Sequence, residues 1–254
     1  GEESLYVKVP KIIFYDKSNE GLSDISEEDK ILAVNEFDSL NYLHKHWDVS
    51  SGVQFVESLG YIEKYNAIIT RQIKADFLFK KFRALDEFGK SNDVGFNVVK
   101  NGLANFGASL RSFHNINIEI GKFRGGEFEL KLLTYLDTLG QYDVRSSHLN
   151  VIRKYLAKYN GYQCEGRLVN NLKGIDLRQI FIDVNKLYVI DPGKISTGLA
   201  EADIARFIVT CRILYWGTPA ILRRICPSVS YEQAFLDGYY SVADRPEKML
   251  NLLN

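Results

Sequence analysis

The stretch GIDLRQIFIDVNKLYVIDPGK, residues 174–194, has the pattern of two β-strands joined by a tight turn. Apolar and β-branched residues dominate both predicted strands, which is typical of a hairpin. The second strand ends at an acid, Asp191, which stands directly before a Pro-Gly pair, and another acid, Asp176, precedes the first strand. Because a strand end is a rigid mount for a side chain, the pattern predicts that Asp191 is held in a fixed place.

The composition is that of an ordinary globular protein of 254 residues, with 46% hydrophobic residues and equal numbers, 32 each, of basic and acidic ones. A net charge of zero argues against nucleic acid as the main partner. The chain has no run of about 18 apolar residues, so we expect no transmembrane segment. We expect a cytoplasmic protein and leave open a peripheral contact with the inner face of the membrane. Its three cysteines are too scattered to predict a disulfide framework or a zinc site.

The first third of the chain is predicted to run strand, helix, strand, strand. SLYVKVPKIIFYD is rich in β-branched and aromatic residues, and GVQFVESLGYIEKYNAIITRQI has two strand-like halves that meet around residues 63–66. Between them, a helix is predicted to start near Ser26. Its apolar residues fall on one face, at Ile31, Val34, Phe37, Leu40 and Leu43.

The remainder is mostly helical. FNVVKNGLANFGASLRSFHNI has apolar residues at helical spacing, at Val99, Leu103, Phe106, Leu110 and Phe113. Two amphipathic helices follow, EFELKLLTYLDTL and HLNVIRKYLAKY, then the hairpin, then helices in EADIARFIVTCRILYW and YEQAFLDGYYSV. The sequence therefore predicts an α+β protein with a small β-rich part, a larger helical part and a cleft between them.

This order of motifs resembles the protein-kinase-like fold, and within it the branch of the bacterial aminoglycoside phosphotransferases and lipopolysaccharide kinases. YVKV, AVNEFDSLNYLHKH, AIITRQI, LANFGASLRSFHNI, YVIDPG, ADIARFI and AFLDGY stand in that family's order. The resemblance implies a two-lobed fold with a nucleotide-binding N-lobe at residues 1–73 and a helical C-lobe at residues 74–254. Only GEESL precedes YVKV, so the family's glycine-rich loop is expected to be absent or to lie outside this sequence.

The resemblance also implies an ATP and Mg²⁺ site. It gives Lys8 the role of holding nucleotide phosphates, Glu36 the role of pairing with that lysine, and Asp191 the role of metal ligand. Such roles suit phosphoryl transfer, which needs positioned charge more than covalent chemistry from the protein. The resemblance further implies that adenine meets the backbone of the strand exit at Arg71, Gln72 and Ile73.

The catalytic loop departs from the family pattern of His-x-Asp followed by an Asn, since the chain contains no His-x-Asp. Counting back from IFID puts the Asn place on Gln179 and the Asp place on Gly174. A second register puts Asn171 in the Asp place and Asp176 in the Asn place, but it needs three extra residues before the strand. We predict Asp176 as the general base and Gln179 as an amide metal ligand.

Four side chains in the helical part have a structural interpretation, and for all of them except His114 a functional one stands beside it. Asp203 is interpreted as a helix N-cap, although the family uses an acid there to brace the catalytic loop. His114 is interpreted as a packing residue. Tyr239, together with Tyr240, is interpreted as a core aromatic or as a platform for a sugar.

Three functions remain open at this point. The first is a phosphotransferase acting on a hydroxyl of a small molecule, a sugar or a bacterial glycan or glycolipid. The short segment ISTGLAE after DPGK leaves little room to dock a peptide, so a small acceptor is favoured over a protein. The second is a pseudokinase that binds nucleotide or a partner without transfer. The third is an unrelated α+β binding module.

Overall fold

The computed structural model describes residues 4–9, 27–78, 93–142, 144–157, 163–172, 174–183, 186–217, 221, 223 and 228–240. The chain forms two compact units, the first made of Gly1–Asn117 with Val169–Asn254 and the second of Ile118–Leu168. The strands are β1 Leu5–Lys8, β2 Val53–Phe55, β3 Ser58–Ile62, β4 Ala67–Arg71, β5 Asp76–Phe77, β6 Glu119–Arg124, β7 Gln163–Leu172, β8 Ile180–Asp183, β9 Lys186–Val189 and β10 Ile195–Leu199. The helices are α1 Glu27–His46, α2 Asp93–His114, α3 Gly125–Gly140, α4 Ser146–Ala157, α5 Ala200–Gly217 and α6 Ser228–Tyr239.

A three-stranded sheet of order β1-β4-β3 lies at the start of the first unit. β1 runs antiparallel to β4, with Val7 opposite Ile69 and Lys8 opposite Ile68. Val7 and Ile69 therefore share one sheet, as expected if the first strand and the strand at residues 67–71 belong to the same β-rich part. Because the register is fixed along the whole strand, Lys8 lies at the end of β1 that faces the start of β4.

A second sheet has the order β2-β9-β8-β5 and contains the hairpin predicted from the sequence. β8 and β9 pair antiparallel, and β2 runs parallel to β9 with Val53 opposite Leu187. The segment around residues 53–62, predicted as one strand, is therefore two short strands in different sheets. The change of partner occurs at Val56, whose N–H donates to the carbonyl of Val189 at 3.0 Å while the strand that follows pairs with β4.

The predicted inward face of α1 is correct for its second half only. Leu40 and Leu43 are buried, whereas Ile31 is 59% exposed and Val34 is 41% exposed. Ile31 and Val34 lie on the solvent side of the helix. The residues of its first half that line the neighbouring cavity are Asp29, Leu32, Ala33, Asn35 and Glu36. The buried face of α1 therefore begins at Ala33.

The core of the first unit is built on α2, as the sequence predicts. Each of the five predicted core residues of α2 is at most 1% exposed: Val99, Leu103, Phe106, Leu110 and Phe113. α2 crosses α6 at backbone contact, because a methyl group at Gly107 would lie 2.8 Å from the backbone nitrogen of Tyr239. The helices predicted over the sequences of α5 and α6 are present and pack on each other.

The second unit contains α3, α4, β6 and the part of β7 up to Leu168. Both helices were predicted, and the two strands were not. β6 pairs antiparallel with β7, and Gly121 stands opposite Gly166 in the ladder. Glycine has no side chain to pack and low strand propensity, so these paired glycines weaken the strand pattern in the sequence. Among the described residues, no helix has both the length and the apolar character that a membrane span requires.

Candidate functional site

Three charged side chains from separate elements meet at the end of β1. The Nζ of Lys8 lies 2.6 Å from Oε2 of Glu36 on α1 and 3.2 Å from Oδ2 of Asp191, which follows β9. The sequence analysis selected all three residues, and the structure brings them together. One ammonium between two carboxylates leaves this cluster with a formal charge of minus one, which suits a site for a further cation.

Burial sets the protonation behaviour of this cluster. Burial raises the pKa of Glu36 above its ordinary value, and the nearby Lys8 charge offsets only part of that rise. Burial alone would lower the pKa of Lys8, but the hydrogen bonds and charges of Glu36 and Asp191 outweigh it, so the pKa of Lys8 is raised. Lys8 is therefore a fixed positive charge at neutral pH.

Asp191 has an unusual backbone conformation for a residue with a side chain. Its φ is 53°, in the left-handed region, and that of Gly193 is 65°. Such a conformation is tolerated by aspartate better than by most residues, but it persists only where the surroundings hold it. We therefore expect the fold to hold residues 190–195 in one conformation. This segment is called the metal loop here because it carries the predicted metal ligand Asp191.

Three hydrogen bonds hold the metal loop, one from each of three places in the fold. The N–H of Ile190 donates to the carbonyl of Gln179 at 2.9 Å, and the N–H of Gly174 donates to the carbonyl of Pro192 at 2.8 Å. The N–H of Ile195 donates to Oγ of Ser39 at 3.1 Å. The loop carrying Asp191 is therefore fixed at its start, middle and end.

Ser39 holds the end of the metal loop and was missed by the sequence analysis, and Tyr42 follows it on the same helix. Ser39 lies one helical turn after Glu36, so α1 contacts Lys8 and the metal loop with the same face. The Tyr42 hydroxyl accepts hydrogen bonds from the amides of Asn170 at 3.2 Å and Asn117 at 3.4 Å. Ser39 is buried, but its bond to the metal loop depends on the packed fold, and the sequence carries no signal for it.

A cavity of about 260 Å³ adjoins Lys8, Glu36 and Asp191. Its wall is completed by residues of α1, the start of β4 and the metal loop: Asp29, Leu32, Ala33, Asn35, Asn66, Ile68, Gly193 and Lys194. The three charged residues therefore face a space that a ligand can enter, and the unburied half of α1 forms one side of it.

The residues predicted to meet adenine lie toward the other end of the same sheet. Arg71 pairs with Leu5, three residues along the strand from the pair of Lys8 and Ile68, which is a distance of about 10 Å. The N–H of Arg71 donates to the carbonyl of Glu57, and the N–H of Gln72 donates to that of Ser4, each at 3.0 Å. Ile73 packs on a small apolar cluster around Leu40, Val56 and Ile68. Contact of residues 71–73 with adenine stays a prediction.

Asp176, the predicted base, is held by Arg178. Its Oδ1 accepts from the N–H of Arg178 at 2.8 Å and caps the 3₁₀ turn Leu177–Gln179, and the Arg178 guanidinium binds both carboxylate oxygens. Burial would raise the pKa of Asp176, but the Arg178 hydrogen bonds and charge outweigh burial, so that pKa is lowered. Among the described contacts, Asp176 bonds to Arg178 and not to Lys8, Glu36 or Asp191.

Gly174 occupies the place where the family pattern has its aspartate in one of the two registers. It packs directly on the metal loop: a methyl group at Gly174 would overlap the Asp191 carbonyl oxygen, and would lie 2.6 Å from the Pro192 carbonyl carbon and 2.9 Å from the Gly193 nitrogen. These are backbone atoms, which cannot swing aside. No side chain fits at this position while the loop keeps its shape.

Gln179, the predicted amide ligand, has a buried side-chain oxygen. Within the described part of the chain its Oε1 has no hydrogen-bond partner. A buried carbonyl oxygen without a partner carries a free-energy cost, which a bound cation or donor would remove. Amide and carboxylate oxygens are ligands that Mg²⁺ accepts, so Gln179 and Asp191 fit that ion chemically. Their role as ligands stays a prediction.

The replacement of Asp176 by asparagine is expected to cost stability at neutral pH and much less in acid. Because the folded pKa of Asp176 is below its value of about 3.9 in an unfolded chain, its contribution is full above pH 4 and is lost as pH falls through the folded pKa. Urea unfolding of both proteins at pH 7 and pH 3 measures this. A stability difference that does not shrink in acid would contradict the pairing.

A row of buried polar side chains supports β7, the strand that precedes the segment with the predicted base Asp176. Oδ2 of Asp203 accepts from the N–H of Leu172 at 2.6 Å and lies 3.2 Å from Nε2 of His114, whose Nδ1 lies 2.8 Å from the Tyr239 hydroxyl. Asp203 therefore braces β7 instead of capping its own helix, and the N-cap interpretation is wrong. His114 is buried as predicted, and it also lies at hydrogen-bond distance from Asp203 and Tyr239. Tyr239 is a core residue and is not exposed as a platform for a sugar.

No protein-family model and no curated protein matches the chain. A solved structure of glucosamine kinase in complex with glucosamine, ADP and inorganic phosphate matches with a TM-score of 0.53 at 12% identity, over 68% of this chain and 47% of that one. A second crystal form of glucosamine kinase gives 0.52 at 13%, over 68% and 49%. Macrolide 2'-phosphotransferase MphH from Brachybacterium faecium gives 0.46 at 11%, over 86% and 66%.

The chain spans about half the length of the glucosamine kinase structures that it matches. At this identity the likeness concerns the fold, and it is a likeness to protein-kinase-like enzymes. The prediction of an α+β protein-kinase-like fold is therefore confirmed, and an unrelated binding module is excluded as a description of the fold.

Proposed function

We propose that the protein is an ATP- and Mg²⁺-dependent phosphotransferase that acts on a hydroxyl of a small molecule, a sugar or a bacterial glycan or glycolipid. The observation that carries the proposal is Lys8, which lies within bonding distance of both Glu36 and Asp191 beside an open cavity. This arrangement joins a fixed cation for nucleotide phosphates to a carboxylate for a metal ion. The ADP in the matched glucosamine kinase complex supports nucleotide use.

In the proposed mechanism each residue has one task. Lys8 binds phosphate oxygens, and Glu36 holds Lys8 in place. Asp191 and the amide oxygen of Gln179 would hold Mg²⁺, which when bound neutralises phosphate charge. Backbone groups of residues 71–73 would contact adenine.

The transfer step is a displacement at phosphorus. The acceptor oxygen forms a bond to the γ-phosphorus, the bond from that phosphorus to the bridging oxygen breaks, and ADP leaves with the electron pair. The hydroxyl proton moves to the carboxylate of Asp176. Asp176 is ionised at neutral pH and can accept the proton. Burial would raise its pKa, but the Arg178 hydrogen bonds and charge lower it, which makes Asp176 a weaker base than an unpaired carboxylate.

The wider assignments that accompany this mechanism are proposals as well. Residues 1–73 would form the nucleotide-binding lobe, and residues 74–254 would form the lobe that carries the catalytic hairpin and the acceptor pocket. A small soluble nucleotide as phosphate donor is consistent with a cytoplasmic location.

A second candidate function is a pseudokinase that binds nucleotide without transfer. Two observations favour it: Gly174 leaves no room for a side chain at one of the two family positions for the base, and Asp176 is already bound by Arg178. Both observations concern the removal of a proton from the acceptor. Neither concerns the cluster of Lys8, Glu36 and Asp191 that would bind nucleotide and metal. The two candidates therefore differ in transfer and agree in nucleotide binding.

The experiment that separates them measures binding first and transfer second. Mg²⁺-ATP is expected to raise the thermal midpoint of the protein, because a ligand of the folded state stabilises it. Labelled ATP is then offered with sugars, aminoglycosides and bacterial glycolipid fragments, to the parent and to Asp176→Asn. Transfer by the parent alone supports the proposed base, and equal transfer by the variant rules Asp176 out. Binding with no transfer to any acceptor selects the pseudokinase, and no thermal shift contradicts both.

A further inference from the structure

The guanidinium of Arg178 uses only one of its edges. Nε donates to both oxygens of Asp176 at 3.0 Å, and Nη2 donates to Oδ2. Within the described residues, Nη1 has no hydrogen-bond partner, and the Arg178 side chain is 75% exposed. A guanidinium carries five N–H donors in one plane, so its outer edge can bind a second anion while the inner edge stays on Asp176.

We propose that the acceptor carries an anionic group, a carboxylate or a phosphate, and that the outer edge of Arg178 binds this group. The inference deepens the proposed function and rests on it, because it takes Asp176 as the base. It names a substrate class for the site: hydroxyl compounds with a negative charge near the reacting hydroxyl, in preference to neutral sugars or amino sugars.

The geometry places Arg178 close to any acceptor whose hydroxyl gives its proton to Asp176. A hydroxyl that gives its proton to Asp176 must lie within about 2.6–3.2 Å of the carboxylate. Nε of Arg178 lies 3.0 Å from each oxygen of that carboxylate. The reacting hydroxyl is therefore within about 6 Å of the guanidinium, where a neighbouring anion is attracted and an ammonium is repelled.

The charge balance of the reaction points the same way. Before transfer, the negative charge of Asp176 compensates the positive charge of Arg178. When Asp176 takes the hydroxyl proton it becomes neutral, and Arg178 loses its partner. An anionic group on the acceptor restores the balance at that moment, so it stabilises the transition state more than the ground state.

The proposed function assigns Lys8 to the phosphates of the nucleotide, so a different cation has to bind an anion on the acceptor. The Lys8 ammonium is engaged by Glu36 and by Asp191. Arg178 precedes Gln179, whose carbonyl binds the N–H of Ile190 at the start of the metal loop. Arg178 is thus the cation next to the proposed base, on the loop that adjoins Asp191.

The test compares acceptors that differ in one group: glucose, glucosamine, glucuronate, glucose 1-phosphate and glucose 6-phosphate. Binding is measured by calorimetry without nucleotide, and transfer is measured with labelled ATP. The proteins are the parent, Arg178→Gln, Arg178→Lys and a control, Arg153→Gln. Arg153 is also an arginine paired with an aspartate, Asp137 at 2.8 Å, but it lies in the second unit.

The parent is expected to bind at least one anionic member about tenfold more tightly than glucose or glucosamine, or more. Arg178→Gln should erase that preference. Arg178→Lys should keep part of it, because lysine keeps the positive charge but lacks the paired N–H donors of a guanidinium. Arg153→Gln should match the parent. Equal or weaker binding of the anionic members, or no binding of any member, overturns the inference. So does a preference that survives in Arg178→Gln.

The two proposals fail in different ways. Transfer to neutral and anionic acceptors alike, with no effect of Arg178→Gln on the preference, would leave the phosphotransferase standing and remove the anionic acceptor. Tighter binding of anions through Arg178, with no transfer to any acceptor, would support the anion site and contradict the phosphotransferase.

Discussion

Alanine at position 174 is expected to destabilise the protein by about 3 kcal/mol and to abolish Mg²⁺-nucleotide binding. The added methyl would overlap the backbone of Asp191 and Pro192, and backbone atoms relieve an overlap only by moving the whole loop. That movement would break the bond from the Gly174 N–H to the Pro192 carbonyl and shift the carboxylate that Lys8 binds. Urea unfolding and calorimetric titration with Mg²⁺-ATP measure the two effects.

Gly60→Ala is the matched control for this substitution. A methyl at Gly60 has no heavy atom within 4 Å, so the same change of residue should leave unfolding and nucleotide binding close to the parent. If Gly174→Ala were as stable as Gly60→Ala and still bound nucleotide, the inferred close contact between Gly174 and the metal loop would be contradicted.

Asp191→Asn is expected to weaken the binding of Mg²⁺-ATP by about 100-fold while the binding of ATP without metal falls little. Asparagine keeps the size of the side chain and tolerates the left-handed backbone of this position, so the loop should keep its shape. Only the carboxylate charge is lost, and a change at a metal ligand or its support costs about 10- to 100-fold or more. Calorimetric titrations with ATP, once in Mg²⁺ and once in a chelator, measure the affinity for Mg²⁺-ATP and the affinity for ATP alone separately.

The control for Asp191 is Asp137→Asn, which removes an exposed acid whose partner is Arg153. It should leave both titrations unchanged. An Asp191→Asn protein with the parent affinity for Mg²⁺-ATP would remove Asp191 as the metal ligand. An equal loss with and without Mg²⁺ would show instead that Asp191 acts by positioning Lys8.

The sequence predicted the fold best where the hydrophobic period was unbroken. α2 is buried along its whole predicted face because that face packs on other elements from end to end. α1 has a similar pattern, but Ile31 and Val34 are exposed, since the period shows which residues share a face and not whether a neighbour covers it. β6 and β7 escaped prediction because Gly121 and Gly166 face each other in the ladder.

The same distinction applies to the site. Lys8, Glu36 and Asp191 could be selected because each is a charge in a family motif with a fixed place in the order of elements. Ser39 and Gly174 could not be selected, because their roles depend on contacts between residues far apart in the chain. The Oγ of Ser39 accepts from the N–H of Ile195, and Gly174 packs against Pro192 because it has no side chain. Such contacts follow from the packed fold and leave no local pattern.

The parallel pairing of β2 with β9 bears on how the protein can open and close. β2 lies within the predicted nucleotide-binding lobe and β9 within the predicted helical lobe, yet they share a ladder, and the N–H of Leu187 donates to the Gly52 carbonyl at 2.9 Å. A rotation of one proposed lobe as a whole against the other would have to break the hydrogen bonds between β2 and β9. If the proposed lobes move, we expect that motion to leave the β2–β9 pairing intact, so that β9 and the Asp191 that follows it keep their place relative to β2.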